Sequence, residues 1–288
     1  MGDSRISRRS LVGAAAAFSV VGVARSEPER GASGRAQPPW AWPDGAKAAV
    51  SLTYDDALNS QLDNAVPELK RLGMKATFFL TEANAHWRLT DWEALAKDGN
   101  EVANHTVSHP CALNRFSAGR LEHAEIDPME GYLDSHFGPG RERTFAYPCG
   151  YIGVGHGARH ARYARYRKIL ERDNVVAART TAGGPNRPED VVADPLHLHA
   201  FEPTYEGDTV APAVRYLSET VARGGWAILV FHDVLPKWHA DGDASVATHN
   251  RILQHVASLD VWCAPMGQVF DYVESRWRGR PGPAVVGR

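Results

Sequence analysis

Cysteine, lysine and long apolar runs are what this 288-residue chain has least of. Its three cysteines, Cys111, Cys149 and Cys263, match neither a disulfide framework nor a thiolate metal cluster, since both need pairs or quartets at short spacing. At most one disulfide can form. Thirty-two basic residues, only six of them lysine, stand against 34 acidic ones, and the formal charge of −2 leaves no basic excess to neutralise a phosphate backbone. Nucleic acid is excluded as a partner on that ground. The apolar run at 11–23 is about 13 residues long, short of the ~20 that a bilayer demands, so no stable membrane span is expected in the mature chain. With 43% hydrophobic, 9% aromatic and 23% charged residues, the chain is not disordered throughout.

That apolar run follows Ser7-Arg8-Arg9-Ser10-Leu11-Val12-Gly13 and ends in small residues near Ala24, which resembles a twin-arginine export signal. The expected organisation is an export signal at 1–24, a solvated linker at 25–39 rich in Glu, Arg, Gly, Ser and Pro, one domain at 40–277 and a flexible tail at 278–288. Export places the mature protein in the periplasm or outside the cell.

From Lys47 onward short apolar runs alternate with helical stretches, the pattern of an α/β domain with a largely parallel sheet. Strands are expected at 48–54, 76–80, 101–104, 144–147, 175–180, 196–199, 227–231 and 260–264. A helix is expected over 58–72, with Leu58, Leu62, Val66, Leu69 and Leu72 three or four apart and Gly73 as its C-terminal cap. Thr90-Asp91-Trp92-Glu93 reads as a capping box opening another. No repeat or composition shift divides 40–277, so a single barrel-like domain fits best.

The unusual polar residues fall after those strands. Asp55 and Asp56 follow the first, His105 and His109 the third, Pro148-Cys149-Gly150 the fourth, and His232 the strand at 227–231. In a parallel barrel such ends converge on one face, where active sites are built.

Thr53-Tyr54-Asp55-Asp56-Ala57, His105-Thr106-Val107-Ser108-His109, Phe145-Ala146-Tyr147-Pro148-Cys149-Gly150 and Leu229-Val230-Phe231-His232 occur in the order and rough spacing of a known family. Over roughly 46–275 the chain resembles the polysaccharide deacetylases, the NodB-homology carbohydrate esterases. The resemblance implies a distorted (β/α) barrel of about seven strands in a single catalytic domain, which removes acetyl groups from N- or O-acetylated carbohydrate with a divalent metal. It assigns Asp56, His105 and His109 to that metal, and two imidazoles with a carboxylate suit zinc, which can lower the pKa of a bound water to ~7. Asp55 is then the general base and His232 the general acid. The backbone N–H of Cys149 is the oxyanion donor, and Tyr147 and Pro148 are substrate contacts.

Departures accompany the matches. Ala146 stands where the family commonly has an arginine paired with the catalytic aspartate; Arg143 and Arg179 are candidates to replace it, or else surface residues. The family's late aspartate-tryptophan motif has no counterpart, and Asp190 and Asp194 are the available aspartates. Ala57 replaces a usual glycine and Cys149 a usual tyrosine. His197 and His199, alternating on an expected strand, would line the groove, serve the fold or form a second metal site. The glycine-rich run at 153–157 lacks the Lys-Ser/Thr of a phosphate loop, and the Arg-rich stretch at 159–172 reads as a solvated helix face. Trp87, Trp92, Trp238 and Trp262 are candidates for sugar stacking or for core. Three rival readings are a non-catalytic carbohydrate-binding relative that kept the metal, a hydrolase of a non-sugar amide, and a non-haem Fe(II) oxygenase with the same facial ligand set. The oxygenase reading is the weakest, because such enzymes usually sit on all-β folds and have no need of Asp55 or His232.

Overall fold

The computed structural model describes residues 40–139 and 142–278. The expected export signal, linker and all of the tail beyond Arg278 lie outside the described residues. Six parallel strands carry the fold: β1 (Ala48–Asp55), β2 (Thr77–Leu80), β3 (Glu101–Asn104), β4 (Arg143–Ala146), β5 (Val175–Arg179) and β6 (Trp226–Phe231). They lie in the order β5-β4-β3-β2-β1-β6. A short pair, β7 (Val234–Leu235) and β8 (Ala244–Ser245), stands apart, and β9 (Val261–Cys263) joins the first half of β1 as the seventh strand of the main sheet. Both β1 and β6 are buried from end to end, and their AAVSLTYD and WAILVF sequences present no exposed face.

The expected strand at 196–199 is not regular. Pro195 has no N–H to give a ladder, and Pro195–His197 forms a 3-10 turn instead. The segment at 198–201 nevertheless connects the two edges of the sheet: Leu198 N–H donates to the Ala178 carbonyl, and Phe201 exchanges hydrogen bonds with Ile228 and Val230. This curls the parallel sheet into the distorted (β/α) barrel.

Side chains alternate across each strand, so the curl has two faces. Val50, Leu52, Tyr54, Phe78, Leu80, Leu229 and Phe231 pack outward against helices, meeting Leu217, Ile252 and Leu253. Ala49, Phe79, Ala103, Ala146, Ala177, Ile228 and Val230 share the other face. Its residues are mostly small, which leaves room near the strand ends for larger polar groups.

Two helix expectations need correction. The helix at 58–72 starts as a π turn at Gln61–Ala65 before the α-helix Val66–Arg71, because Pro67 cannot donate to the carbonyl four residues back and the ladder widens upstream. Gly73 does end it, at φ 67°. Thr90 caps nothing: the chain already winds through Glu82–Ala85 and His86–Arg88 into the helix Leu89–Lys97, so Thr90 lies inside it.

Candidate active site

The C-terminal ends of β1, β3, β4, β5 and β6 surround one open cavity of about 1180 Å³. Asp55, Asp56, His109, Cys149 and His232 all line it, as the strand-end argument requires. The backbone there is held in a costly shape. Of the seven non-glycine residues with positive φ among those described, five belong to these loops: Asp56 (75°), Ala57 (56°), Thr106 (70°), His109 (54°) and Cys149 (55°). Such conformations persist only where surroundings enforce them, and they cluster at functional sites. The Asp56 carbonyl is gripped by Thr81 Oγ1 at 3.2 Å and Asn84 Nδ2 at 2.8 Å, and the His109 N–H donates to Thr106 Oγ1 at 3.1 Å.

Asp56, His105 and His109 come together. His105 Nε2 lies 3.6 Å from Asp56 Oδ1, and His109 Nε2 lies 3.7 Å from the same oxygen. The Nδ1–H of His105 donates to the Ala146 carbonyl at 2.8 Å, which fixes the tautomer and turns the Nε2 lone pair toward the carboxylates. That Nε2 is buried and has no hydrogen-bond partner. Burial holds the His105 pKa below the usual imidazole value despite the pull of Asp55 and Asp56, so the ring is neutral at pH 7. A neutral imidazole with a buried free lone pair, beside a second imidazole and a carboxylate, is a donor set that fits a divalent cation.

Asp55 has a different environment. It is almost completely buried, and Arg179 at the end of β5 donates to its Oδ1. Burial alone would push its carboxyl up, but Arg179 foremost, with His105 and His232 beside it, outweighs this and holds it below the usual carboxylate range. Arg179 is itself fully buried, its guanidinium 4.8 Å from the centre of the Phe79 ring. Of the two candidate arginines, Arg179 is therefore the partner of Asp55. Arg143 instead pairs with Glu130 at 2.7 Å and Asp134 at 2.8 Å.

His232 meets a residue that sequence reasoning missed. Its Nδ1 lies 2.9 Å from Glu202 Oε1, in the loop directly after the closing segment at 198–201. Burial opposes the imidazolium, but the adjoining Glu202 carboxylate together with Asp55 and Asp56 raises its pKa to about 9. Gly242, at φ 89°, covers the pair so closely that a Cβ there would come within 2.7 Å of Glu202 Oε1. Gln61, also missed, spans the site by donating to the backbone carbonyls of Asp55 at 2.5 Å and His232 at 3.1 Å. The aspartates considered for the histidine partner are engaged elsewhere, Asp190 with Arg187 and Asp194 with Tyr163 and Arg167.

Tyr147 and Pro148, expected as substrate contacts, are buried, and neither lines the cavity. Tyr147 is fully buried, packs on Phe145 and Tyr166, and donates its hydroxyl to the Leu196 carbonyl at 2.8 Å. The exposed Tyr151 and Tyr205 line the cavity instead. Cys149 pairs with Cys111 in a disulfide, and Cys263 is free. Neither His197 and His199, whose ring centres are 5.8 Å apart, nor any of the four tryptophans considered above lines the cavity. Arg162 and Arg165 bond to the carbonyls of Gly153 and Val154, tying the Arg-rich helix to the glycine-rich loop.

Fold and site together define a (β/α) barrel protein with a two-histidine, one-carboxylate cluster set between an arginine-held aspartate and a carboxylate-held histidine. Residues 43–169 match the family model of polysaccharide deacetylase. A polysaccharide deacetylase structure from Mycobacterium smegmatis superposes with a TM-score of 0.64 at 18% identity, covering 88% of this chain and 98% of that one. A gellan lyase from Bacillus sp. is 23% identical over 82% of this chain and 10% of its own length. The peptidoglycan-N-acetylglucosamine deacetylase of Bacillus cereus is 38% identical over 22% of this chain and 24% of its own length. The chain thus spans a tenth and about a quarter of these two curated relatives. Over residues 43–169, a little under half of the chain, the sequence is thus similar to the polysaccharide deacetylase family, and the Mycobacterium smegmatis structure shares the fold.

Proposed function

We propose that the protein is a metal-dependent hydrolase that removes acetyl groups from N- or O-acetylated carbohydrate. The observation that carries this reading is the buried, unpartnered Nε2 of His105 converging with Asp56 and His109 next to a separately held Asp55. Asp56, His105 and His109 would hold the cation, and zinc is the metal their chemistry suits. When bound, it supplies a Lewis acid that activates water and polarises the acetyl carbonyl. Asp55, kept ionised by Arg179, takes the proton from the attacking water as general base. The N–H of Cys149 stabilises the oxyanion. His232, protonated at neutral pH and oriented through Nδ1 by Glu202, gives a proton to the departing amine or alkoxide.

Arg179 beside Asp55 and Glu202 beside His232 stand where the two partners missing from the motifs would act, which supports a hydrolase over a non-catalytic carbohydrate binder. A hydrolase needs a base and an acid flanking the cation, and an Fe(II) oxygenase needs neither. Export rests on the twin-arginine-like segment and is supported by the Cys111–Cys149 disulfide, a bond that persists in oxidising compartments. The test is acetate release from N-acetylglucosamine oligomers, peptidoglycan and acetylated xylan, with and without chelator. Chelator-sensitive release from at least one is expected; release from none by metal-replete protein overturns the reading.

A further inference from the structure

We propose that reduction of the Cys111–Cys149 disulfide creates a second, sulfur-rich metal site, made of both cysteines and His109, that competes with the Asp56, His105 and His109 set for the same cation.

Three observations carry it. The disulfide lies at the site itself: Cys111 is two residues beyond His109, and Cys149 lines the catalytic cavity. The ligand atoms of His109, Cys111 and Cys149 all lie within 4.8 Å of one another, with Cys111 Sγ 3.8 Å from His109 Nδ1. His109 also faces both ways, Nδ1 toward the sulfur and Nε2 toward Asp56.

Exclusivity follows from the imidazole. A neutral ring has one lone pair and one N–H, so it offers an acceptor through Nδ1 or Nε2 but not both. Bound through Nδ1 to the sulfur site, His109 points an N–H at Asp56 and leaves the other set with two ligands. Two sulfurs at ~2.3 Å from a tetrahedral ion are ~3.8 Å apart, a separation that cysteines with Cα atoms 5.6 Å apart reach by side-chain rotation. Thiolates favour zinc strongly, so the sulfur set wins once it exists. Both cysteines are exposed and open to a reductant. With a water-soluble phosphine the chemistry balances: phosphorus gives two electrons and becomes the phosphine oxide with oxygen from water. The S–S bond breaks, and the two protons of that water go to the sulfurs. Metal binding then releases the thiol protons to solvent. The competition rests on the cation reading above; the sulfur site does not.

The experiment uses the full chain carrying Cys263→Ser, loaded with cobalt(II), oxidised or phosphine-reduced and desalted. The oxidised protein is expected to show no thiolate-to-cobalt charge-transfer band in the near ultraviolet. The reduced protein is expected to show one of about two-thiolate intensity, lost at least in half in Cys111→Ser and fully in Cys111→Ser/Cys149→Ser. Acetate release at one equivalent of metal should fall at least ~10-fold on reduction and return on reoxidation, as expected if catalysis needs the other ligand set. A reduced protein with bound cobalt but no such band overturns the proposal, as does a band that survives the double substitution. Failure of the Asp56, His105 and His109 reading shows separately, as oxidised protein that takes up no cobalt at all.

Discussion

Arg179→Met tests the proposed site most directly, because it removes one charge and leaves Asp55 in place. Asp55 is 1% exposed, and Arg179 is the largest of the influences that keep its carboxylate ionised against burial. Breaking a buried ion pair by removing one member typically costs about 3–5 kcal/mol, because the survivor stays buried and uncompensated. The pH dependence should change sign. In the parent, a depressed Asp55 pKa contributes stability present above the unfolded value near ~3.9 and lost as pH falls through the folded value. In Arg179→Met burial dominates and raises that pKa, so the contribution is present at low pH and lost as pH rises. Urea unfolding of chelated protein at pH 5 and pH 8 should therefore show a larger loss at pH 8. The acid limb of kcat/KM at saturating metal should move to higher pH, since the proposed base role requires Asp55 to be ionised. Arg143→Met, which breaks pairs with Glu130 and Asp134 outside the cavity, is the control that should lose stability without moving the limb. Equal destabilisation at both pH values with an unmoved acid limb in Arg179→Met would refute the electrostatic role.

Asp55→Asn should keep its metal while kcat falls by ~10² or more, because only Asp56 of the adjacent carboxylates is needed as a ligand; loss of metal with activity restored by added metal would reverse the two roles. His232→Ala should lose ~10² to ~10⁴ in kcat on an N-acetylated sugar but far less on a nitrophenyl acetate, whose anion departs unprotonated. Equal losses on both substrates would remove His232 from the acid role. Glu202→Gln removes the ion-paired carboxylate that raises the His232 pKa, so the basic limb of kcat/KM should move to lower pH by ~1 unit or more; an unmoved limb would detach Glu202 from that function.

Most of the barrel was legible because central parallel strands are buried on both faces and read as short apolar runs, and β3 falls where its sequence places it. The failures are local and share a cause. Pro67 and Pro195 remove donors, and what the backbone does next depends on partners far away in sequence: a π turn in one case, and in the other a closing segment bonded to both β5 and β6. Thr90 carries the right residues for a cap, but a cap requires that the preceding chain not be helical, which four residues cannot reveal.

The site was legible residue by residue and illegible pair by pair. Asp55, Asp56, His105, His109 and His232 each stand at or shortly beyond the end of a strand, so a local signal marks them. The partner of Asp55 lies 124 positions away. Parity offered one clue: Arg179 is two residues beyond Ala177, on the same face of β5, and Ala177 belongs to the small-residue face shared with Ala49 and Ala146. Ala146 at the end of β4 leaves space that an arginine from the neighbouring strand can occupy. The electrostatic task requires a cation beside Asp55 and is indifferent to which strand delivers it. A ring of converging strand ends allows the donor to move by one strand without moving the charge. The same reasoning covers Glu202, which reaches His232 from the loop after the closing segment. In such a barrel a missing motif residue is evidence of lost function only when no neighbouring strand end brings an equivalent group to the same point.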